Sequence, residues 1–447
     1  MHDALSSLGA CLSAYPFATL SSVGFYALLI ALAVPSLRRV LVPYLGHPVA
    51  PNQQYLQAFD TFRGFAAALV ALGHCWWATH PLFHATQKVA PFIAFGQKAV
   101  PMFAVLSGFL IYRSVLLIRS VQDLRAYVIR RAFRIYPVYL LGVGLAVICS
   151  QYIAGQHITP LSFLVSDIFM LNIVGWPGGF ANPVTWSLYI EVMFYAFLPL
   201  AFLTLGRKHL ILACVIGLLG LIAADYPSRV FGLWKFFLIG ILASEVAGSA
   251  AFAKLSQRYG WIMTAMLGLG VALLIYDFGG MRHDWVSRLG LTIAHGEGNT
   301  VGLGLACFLI LVSFCHLPRL GAILNALPFR LLGVISYSVY IVHFFYIYAN
   351  FPELGSFTRA GSPPMFQHFE SLPQMPAWHL PFLFFPGVFF WSVITFLLVE
   401  RPGIQLGKRI VDAMRRGAAT QDVRLGQSPV GLRRVNEVAR DERLHLG

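Results

Sequence analysis

Charged residues are scarce in this sequence, since only 11% of its 447 residues are Asp, Glu, Lys or Arg. Soluble globular proteins carry about 25% charged residues. Hydrophobic residues make up 58% of the chain, and its mean hydropathy is +0.71. This balance excludes a large soluble domain and predicts an all-α polytopic membrane protein built as a bundle of transmembrane helices.

Acidic residues and cysteines are also few. The chain has 18 Asp and Glu against 32 Lys and Arg, a formal net charge of +14. In a soluble protein such an excess would suggest nucleic-acid binding. The six cysteines show neither a CxxC pair nor Cys/His ligand spacing. We therefore interpret them as small core residues, and we predict neither a disulfide framework nor a metal site.

Apolar stretches of the right length predict about eleven transmembrane helices. They lie near residues 17–37, 57–77, 97–118, 135–155, 184–205, 210–224, 230–250, 261–278, 300–317, 333–351 and 381–400. The run from Leu161 to Gly175 is shorter and more polar, so we predict that it is interfacial or re-entrant.

The positions of Lys and Arg predict the orientation of these helices. Residues 1–15 contain no Lys or Arg, whereas Arg38 and Arg39 follow the first span. Because basic residues accumulate on the cytoplasmic side, we expect a periplasmic N-terminus and a cytoplasmic C-terminus. Alternate threading then places most Lys and Arg, including those of the basic tail, on the cytoplasmic side. Topology thus accounts for most of the charge, and no nucleic-acid partner is expected.

Three ionisable residues lie inside the second predicted span, 57–77: Asp60, Arg63 and His74. An ionisable group near the bilayer centre costs about 2.5–3.5 kcal/mol on insertion scales. Arg63 and His74 lie about 20° apart around a helix and about 16 Å apart along it, and Asp60 lies one turn before Arg63. This face predicts a polar cavity within the bundle. The alternative is an interhelical ion pair with a separate, hydrogen-bonded histidine.

A basic cluster precedes Pro137, where Arg130, Arg131 and Arg134 fall within about one helical turn of one another. Guanidinium groups bind phosphate oxygens in bidentate fashion, which favours a site for the phosphates of a soluble cofactor. Contact with anionic lipid headgroups is the alternative.

Further polar residues lie inside other spans. Glu191 follows Trp186 in WSLYIEVMFY and must be neutral, paired or functional, with Arg63 as the expected partner if it is paired. Ser107 occupies mid-span, and the sequence favours packing over nucleophilic catalysis there, because no elbow turn or nearby base accompanies it. Tyr340 and His343 share one face of GVISYSVYIVHF with Ser336. We take Ser107, Trp186, Tyr340 and His343 as candidate cavity-lining or acceptor-binding residues, although Ser336, Tyr340 and His343 could equally form a polar seam between helices.

The chain resembles the acyltransferase-3 family, whose polytopic members O-acylate bacterial surface polysaccharides, lipopolysaccharide, Nod factors and macrolides. The resemblance is carried by six blocks in order: FDTFRGFAAALVALGH (59–74), VPMFAVLSGFLI (100–111), RRAFRIYP (130–137), WSLYIEVMFY (186–195), LGVISYSVYIVH (332–343) and VERP (400–402). It implies a core domain at 57–402, an added helix within 1–56 and a basic cytoplasmic tail at 403–447.

The resemblance also implies a mechanism in the bacterial inner membrane. Cytoplasmic acyl-CoA, with acetyl-CoA as the expected donor and no metal, would bind through Arg130, Arg131 and Arg134. The acceptor would be a hydroxyl of a polysaccharide or lipid-linked sugar. In the family pattern, the paired Arg and His fall on Arg63 and His74.

The role of His74 remains open at this point. It would be either a general base or a transient acyl carrier, and we favour the base. Arg63 and Glu191 would orient the site or stabilise charge, with Asp60 holding Arg63.

A transporter or flippase is the alternative class, in which the same ionisable residues would form a relay. The sequence has no pair of broken helices and no clear internal repeat, which weighs against this class. A catalytically idle relative is a third possibility, and the joint presence of Arg63, His74, Arg131, Arg134 and Glu191 weighs against it.

Overall fold

The structure, a computed structural model, describes residues 15–45, 54–79, 95–148, 161–171, 182–224, 229–278, 301–324, 326–350 and 384–424. Within these ranges the regular structure is helical and no β-strand is present. The predicted all-α class is therefore confirmed for the described residues.

The first part of the chain forms helices α1 to α7. Their bounds are α1 (Pro16–Ala33), α2 (Pro35–Leu45), α3 (Gln54–Thr79), α4 (Phe95–Val115), α5 (Val121–Ile148), α6 (Leu161–Ile168) and α7 (Trp186–Ala224). A 3₁₀ turn, Pro183–Thr185, leads into α7, and the side chain of Asn182 caps it by accepting a hydrogen bond from the Val184 N–H. α7 bends at Gly206, whose φ of +70° favours glycine. This bend lies between two of the predicted spans.

The second part forms α8 to α16. Their bounds are α8 (Arg229–Gly248), α9 (Ala250–Arg258), α10 (Gly260–Phe278), α11 (Val301–Phe314), α12 (Pro318–Leu324), α13 (Leu327–Val334), α14 (Ser336–Asn350), α15 (Phe385–Thr395) and α16 (Arg401–Arg424). A π-helical turn, Phe396–Glu400, joins α15 to α16.

In the described part of the chain, five helical stretches are long and apolar enough to cross a membrane. They lie in α1, α4, α5, α7 and the continuous stretch Phe385–Gly417. The count is seven if each of two bent pairs is one span, since α8 and α9 meet at 64° and α13 and α14 at 66°. These two bent pairs correct the expectation that the chain has no pair of broken helices. α10 and α11 are shorter apolar helices. The count of about eleven spans therefore stays a prediction.

α3 lies at the centre of the bundle, although its polar residues leave it outside this count of apolar helices. It packs against α4, α13 and α14. Its residues Phe59, Ala66, Ala67 and Val70 are buried in the core. The polar residues of α3 are thereby held against protein from several sides.

α4 and α8 approach each other closely, backbone to backbone. A Cβ atom on Gly240 of α8 would collide with the carbonyl oxygen of Val105, and one on Gly108 of α4 would collide with that of Phe237. Small residues at both positions therefore allow this contact, as is common between membrane helices.

The first and last apolar helices lie together. The rings of Phe17 in α1 and Trp391 in α15 stack with centroids 5.6 Å apart, and Trp391 donates a 3.0 Å hydrogen bond to Ser21. At the other end, Gly403 and Gly407 of α16 lie against Phe133 of α5. Residues 403–424 of the predicted basic tail lie in α16.

Several expectations fall outside the described residues. They concern Cys11, Cys149 and the tail beyond Arg424. The other four cysteines, Cys75, Cys214, Cys307 and Cys315, are free thiols and are buried or half-buried.

Candidate functional site

A cavity lies between α4, α5, α7, α8 and α14, beside α3. The space inside it, including its opening to solvent, is about 910 Å³. Apolar side chains form most of the wall, with Phe103, Leu110, Leu188, Leu233 and Phe237 among them. Its polar lining consists of Arg63, Ser107, Arg131, Arg134, Ser187, Glu191, Tyr195, Tyr337 and Tyr340.

The cavity follows α4 from Val100 to Ile111, which is a length of about 16 Å. Its two ends differ chemically. Arg131 contacts Ser114, which lies just beyond Ile111 on α4. At the other end Phe103 meets the ring of Tyr340 edge-on, with centroids 5.5 Å apart. The cavity therefore has a cationic end and an aromatic end.

Arg63 is held in the cavity wall by three contacts. Its Nη2 forms a 2.8 Å ion pair with Asp60, one turn earlier on α3. Its Nε donates a 2.8 Å hydrogen bond to Ser336, and Nη2 also reaches the Gly333 carbonyl at 3.4 Å. Arg63 thereby joins α3 to the junction between α13 and α14.

Glu191 is held by neutral hydroxyl groups. Ser107 donates to its Oε1 at 2.7 Å, and Tyr195 donates to the same oxygen at 2.5 Å. The alternative of an ion pair between Glu191 and Arg63 is absent, because Arg63 pairs with Asp60 instead. Ser107 thus contributes to the polar lining and does more than fill space.

The arginines of α5 differ in their surroundings. Arg131 donates a 2.9 Å hydrogen bond to Ser114, and its guanidinium lies over the rings of Tyr127 and Tyr195. Arg134 lines the cavity and forms no ion pair with any described carboxylate. Arg130 is half-buried and does not line the cavity.

His74 does not line the cavity but lies one layer of side chains behind its wall. Its Nδ1 is 3.0 Å from Nε2 of His343, and the two rings are nearly parallel, with 9° between their planes. The His343 ring is 6.1 Å from that of Tyr340, which lines the cavity. The structure therefore pairs the two histidines and places neither in the lining.

Tyr340 has both sides of its hydroxyl engaged. It donates a 2.8 Å hydrogen bond to the Val184 carbonyl, so it accepts the 2.6 Å bond from Ser187. These contacts fix the ring between the cavity and His343. Trp186 packs half-buried against the core beside this group and does not line the cavity.

Several lining residues are absent from the sequence-based candidates. Tyr337 lies within the GVISYSVYIVHF block and was a findable candidate, whereas Leu233 and Phe237 of α8 are ordinary apolar residues without any signal. In the part of the chain that is described, no group of three or more His, Cys, Asp or Glu side chains could hold a metal ion.

This arrangement combines cations for an anionic ligand, an apolar channel and a histidine pair near one end. Guanidinium groups suit phosphate, and an apolar wall suits an uncharged chain. A neutral imidazole can accept a proton from a hydroxyl group. These groups suit an anionic ligand at one end, an uncharged chain along the wall and proton transfer near the other end.

Comparison with known proteins gives a consistent result. Residues 56–398 match the sequence model of a family described as an acyltransferase domain. The chain is 27% identical to "Putative membrane-bound transacylase BcsY" of Komagataeibacter xylinus, across 80% of this chain and 86% of that protein. It is 26% identical to "Exopolysaccharide production protein ExoZ" of Rhizobium meliloti (strain 1021), across 60% and 81% respectively.

A third relative is "Putative acetyltransferase ORF330" of Acidianus two-tailed virus. The two are 30% identical across 40% of this chain, and the match spans 49% of that protein, about half its length. No solved structure matches the chain. Because the family match covers more than half of the residues and the helices include several apolar spans, the chain belongs to the acyltransferase-3 family and is a multi-pass membrane acyltransferase.

Proposed function

We propose that the protein transfers an acyl group, with acetyl preferred, from cytoplasmic acyl-CoA to a hydroxyl of a surface polysaccharide or lipid-linked sugar. The names of two relatives, a membrane-bound transacylase and an exopolysaccharide production protein, support this class of acceptor. We place the protein in the inner membrane of a bacterium. Its N-terminus would be periplasmic, its catalytic domain would span residues 57–402 and its C-terminal tail would be cytoplasmic.

The observation that carries the proposal is the cavity with arginines at one end. Arg134 lines it and has no ion-pair partner among the described carboxylates, while Arg131 is oriented by Ser114. Both arginines are half-buried, and guanidinium groups in such a cavity can bind phosphate oxygens in bidentate fashion. We assign the phosphates of CoA to Arg131 and Arg134, with Arg130 assisting from outside the lining.

The apolar part of the cavity would then hold the uncharged arm of acyl-CoA, which carries the thioester. The cavity follows α4 for about 16 Å, from the arginines toward Tyr340. An extended chain bound along it would bring its thioester to the end nearest His74. Arg63 and Glu191 line its path and would orient the arm or stabilise developing charge, and Asp60 holds Arg63.

We assign His74 the role of general base toward the acceptor hydroxyl. His74 is half-buried and lies outside the cavity lining. In the predicted topology, the acceptor would approach His74 from the periplasmic side. The acceptor hydroxyl and the thioester would then meet near the Tyr340 end of the cavity, after approaching it from opposite directions.

Free-thiol release from acetyl-CoA by purified protein in nanodiscs tests this proposal, with and without a polysaccharide extract. We expect His74→Ala to lower the rate about 10²- to 10⁴-fold, the usual contribution of a general base. His209→Ala is the matched control, because His209 is exposed on α7 and bonds only its own helix. It should retain the wild-type rate.

Two results would count against the proposal. A His74→Ala variant with the wild-type rate would remove His74 from catalysis. Absence of thiol release with acetyl-CoA and with succinyl-CoA, in the presence of acceptor extract, would exclude these two donors and the mechanism built on them.

A further inference from the structure

We propose that His343 is a positioning residue that fixes the tautomer of His74 and leaves His74 Nε2 as the proton-accepting atom. The inference deepens the proposed function and rests on it only for the role of His74 as base. The assignment of the tautomer itself rests on hydrogen bonds alone.

A backbone carbonyl on α14 fixes the tautomer of His343. Its Nδ1 lies 3.0 Å from the carbonyl oxygen of Val339, one turn earlier on α14. A carbonyl oxygen can only accept a hydrogen bond, so His343 Nδ1 carries the proton. A neutral imidazole has one N–H group, and therefore His343 Nε2 presents a lone pair.

The tautomer of His343 in turn determines that of His74. His74 Nδ1 lies 3.0 Å from His343 Nε2, and two lone pairs cannot form a hydrogen bond. His74 Nδ1 must therefore carry the proton and donate it to His343. The remaining nitrogen of a neutral His74, Nε2, is left with its lone pair, as a general base requires.

Packing holds this geometry in place. His343 is fully buried, and the ring of Phe344 meets both imidazoles edge-on, at 4.9 Å from His74 and 5.4 Å from His343. Tyr340, itself fixed by Ser187 and Val184, lies on the cavity side of His343. Neither ring can rotate freely without losing its hydrogen bond.

The acceptor O–H bond breaks and its proton moves to His74 Nε2, while the acceptor oxygen attacks the thioester carbonyl carbon. The C–S bond then breaks, the CoA thiolate takes a proton from water in the cavity, and His74 Nε2 gives its proton to water on the acceptor side. His74 Nδ1 donates to His343 throughout, so His74 returns to its starting tautomer.

Two variants separate positioning from structural support. His343→Leu removes the acceptor for His74 Nδ1, whereas His343→Gln can retain one through its amide oxygen. We expect the Leu variant to lose about 10²- to 10³-fold in kcat for acyl transfer while its KM for acetyl-CoA changes less than twofold. The Gln variant should keep at least about a tenth of the wild-type kcat. Equal activity in the Leu variant and the wild type would overturn the inference.

A measurement on the wild-type protein does not depend on whether these variants fold. In protein labelled with ¹⁵N-histidine in nanodiscs, the His74 signals are identified by their loss in His74→Ala. We expect Nδ1 to be protonated and Nε2 to be unprotonated, and the reverse assignment would overturn the inference. The expected tautomer together with an active His74→Ala would instead refute the proposed catalytic role of His74.

Discussion

Ser107 on α4 donates a hydrogen bond to Glu191 on α7, and this 2.7 Å contact joins two walls of the cavity. Tyr195 donates a second bond to the same carboxylate oxygen. One carboxylate thus serves two hydroxyl donors. Its removal would leave both without this acceptor inside the bundle.

Glu191→Leu is therefore expected to destabilise the fold by about 1–3 kcal/mol, the usual cost of leaving buried polar groups unsatisfied. Thermal unfolding of the purified protein in detergent, followed by circular dichroism, measures this loss. Glu191→Gln is the matched control, because its amide oxygen can still accept from Ser107 and Tyr195. Equal stability of the Leu variant and the wild type would contradict the prediction.

Arg134→Ala should weaken acetyl-CoA binding about tenfold or more, because a hydrogen bond to a charged group contributes about 1.5–3 kcal/mol. Arg131→Ala should have a similar effect, with an added loss of stability from the Ser114 contact. Isothermal titration in nanodiscs gives the Kd. Arg125→Ala is the control, since Arg125 is exposed on the same helix. If all three variants bind acetyl-CoA as tightly as the wild type, Arg131 and Arg134 contact lipid and not the donor.

Arg63→Lys separates charge from geometry. A lysine retains the ion pair with Asp60 but cannot also donate to Ser336 through a forked guanidinium. We expect the rate of thiol release to fall about tenfold with little change in the unfolding temperature, from the loss of about 1.4 kcal/mol of positioning energy. An unchanged rate would show that charge alone suffices at this position.

Gly240→Ala should destabilise the bundle by about 1–3 kcal/mol, because its methyl group would force α4 and α8 apart. Gly268→Ala in α10 is the matched control, since a Cβ there meets open space. Unfolding in detergent compares the two variants. Equal unfolding temperatures would mean that α4 and α8 can move apart at little cost in stability.

Local patterns in the sequence predicted part of this arrangement. Helical periodicity placed Asp60 and Arg63 one turn apart, and the structure shows the ion pair between them. The positions of most apolar helices also follow from hydropathy. These features depend on residues close together in the chain, where helix geometry alone relates one side chain to another.

Contacts between distant segments were beyond such reasoning. His74 and His343 are 269 residues apart, and nothing in either segment specifies that their nitrogens meet. Glu191 had an expected charged partner, yet the fold supplies Ser107 and Tyr195. Leu233 and Phe237 line the cavity only because α8 packs so closely on α4. Tertiary packing decides all three.

The continuous helix from Phe385 to Arg424 supports the arginines of α5. α15, the π-helical turn and α16 together extend about 60 Å, about twice the thickness of a hydrocarbon core. Gly403 and Gly407 lie against Phe133, which sits between Arg131 and Arg134 in sequence. The long helix therefore supports the turn of α5 that carries these two arginines, and a shift of one helix would displace the other.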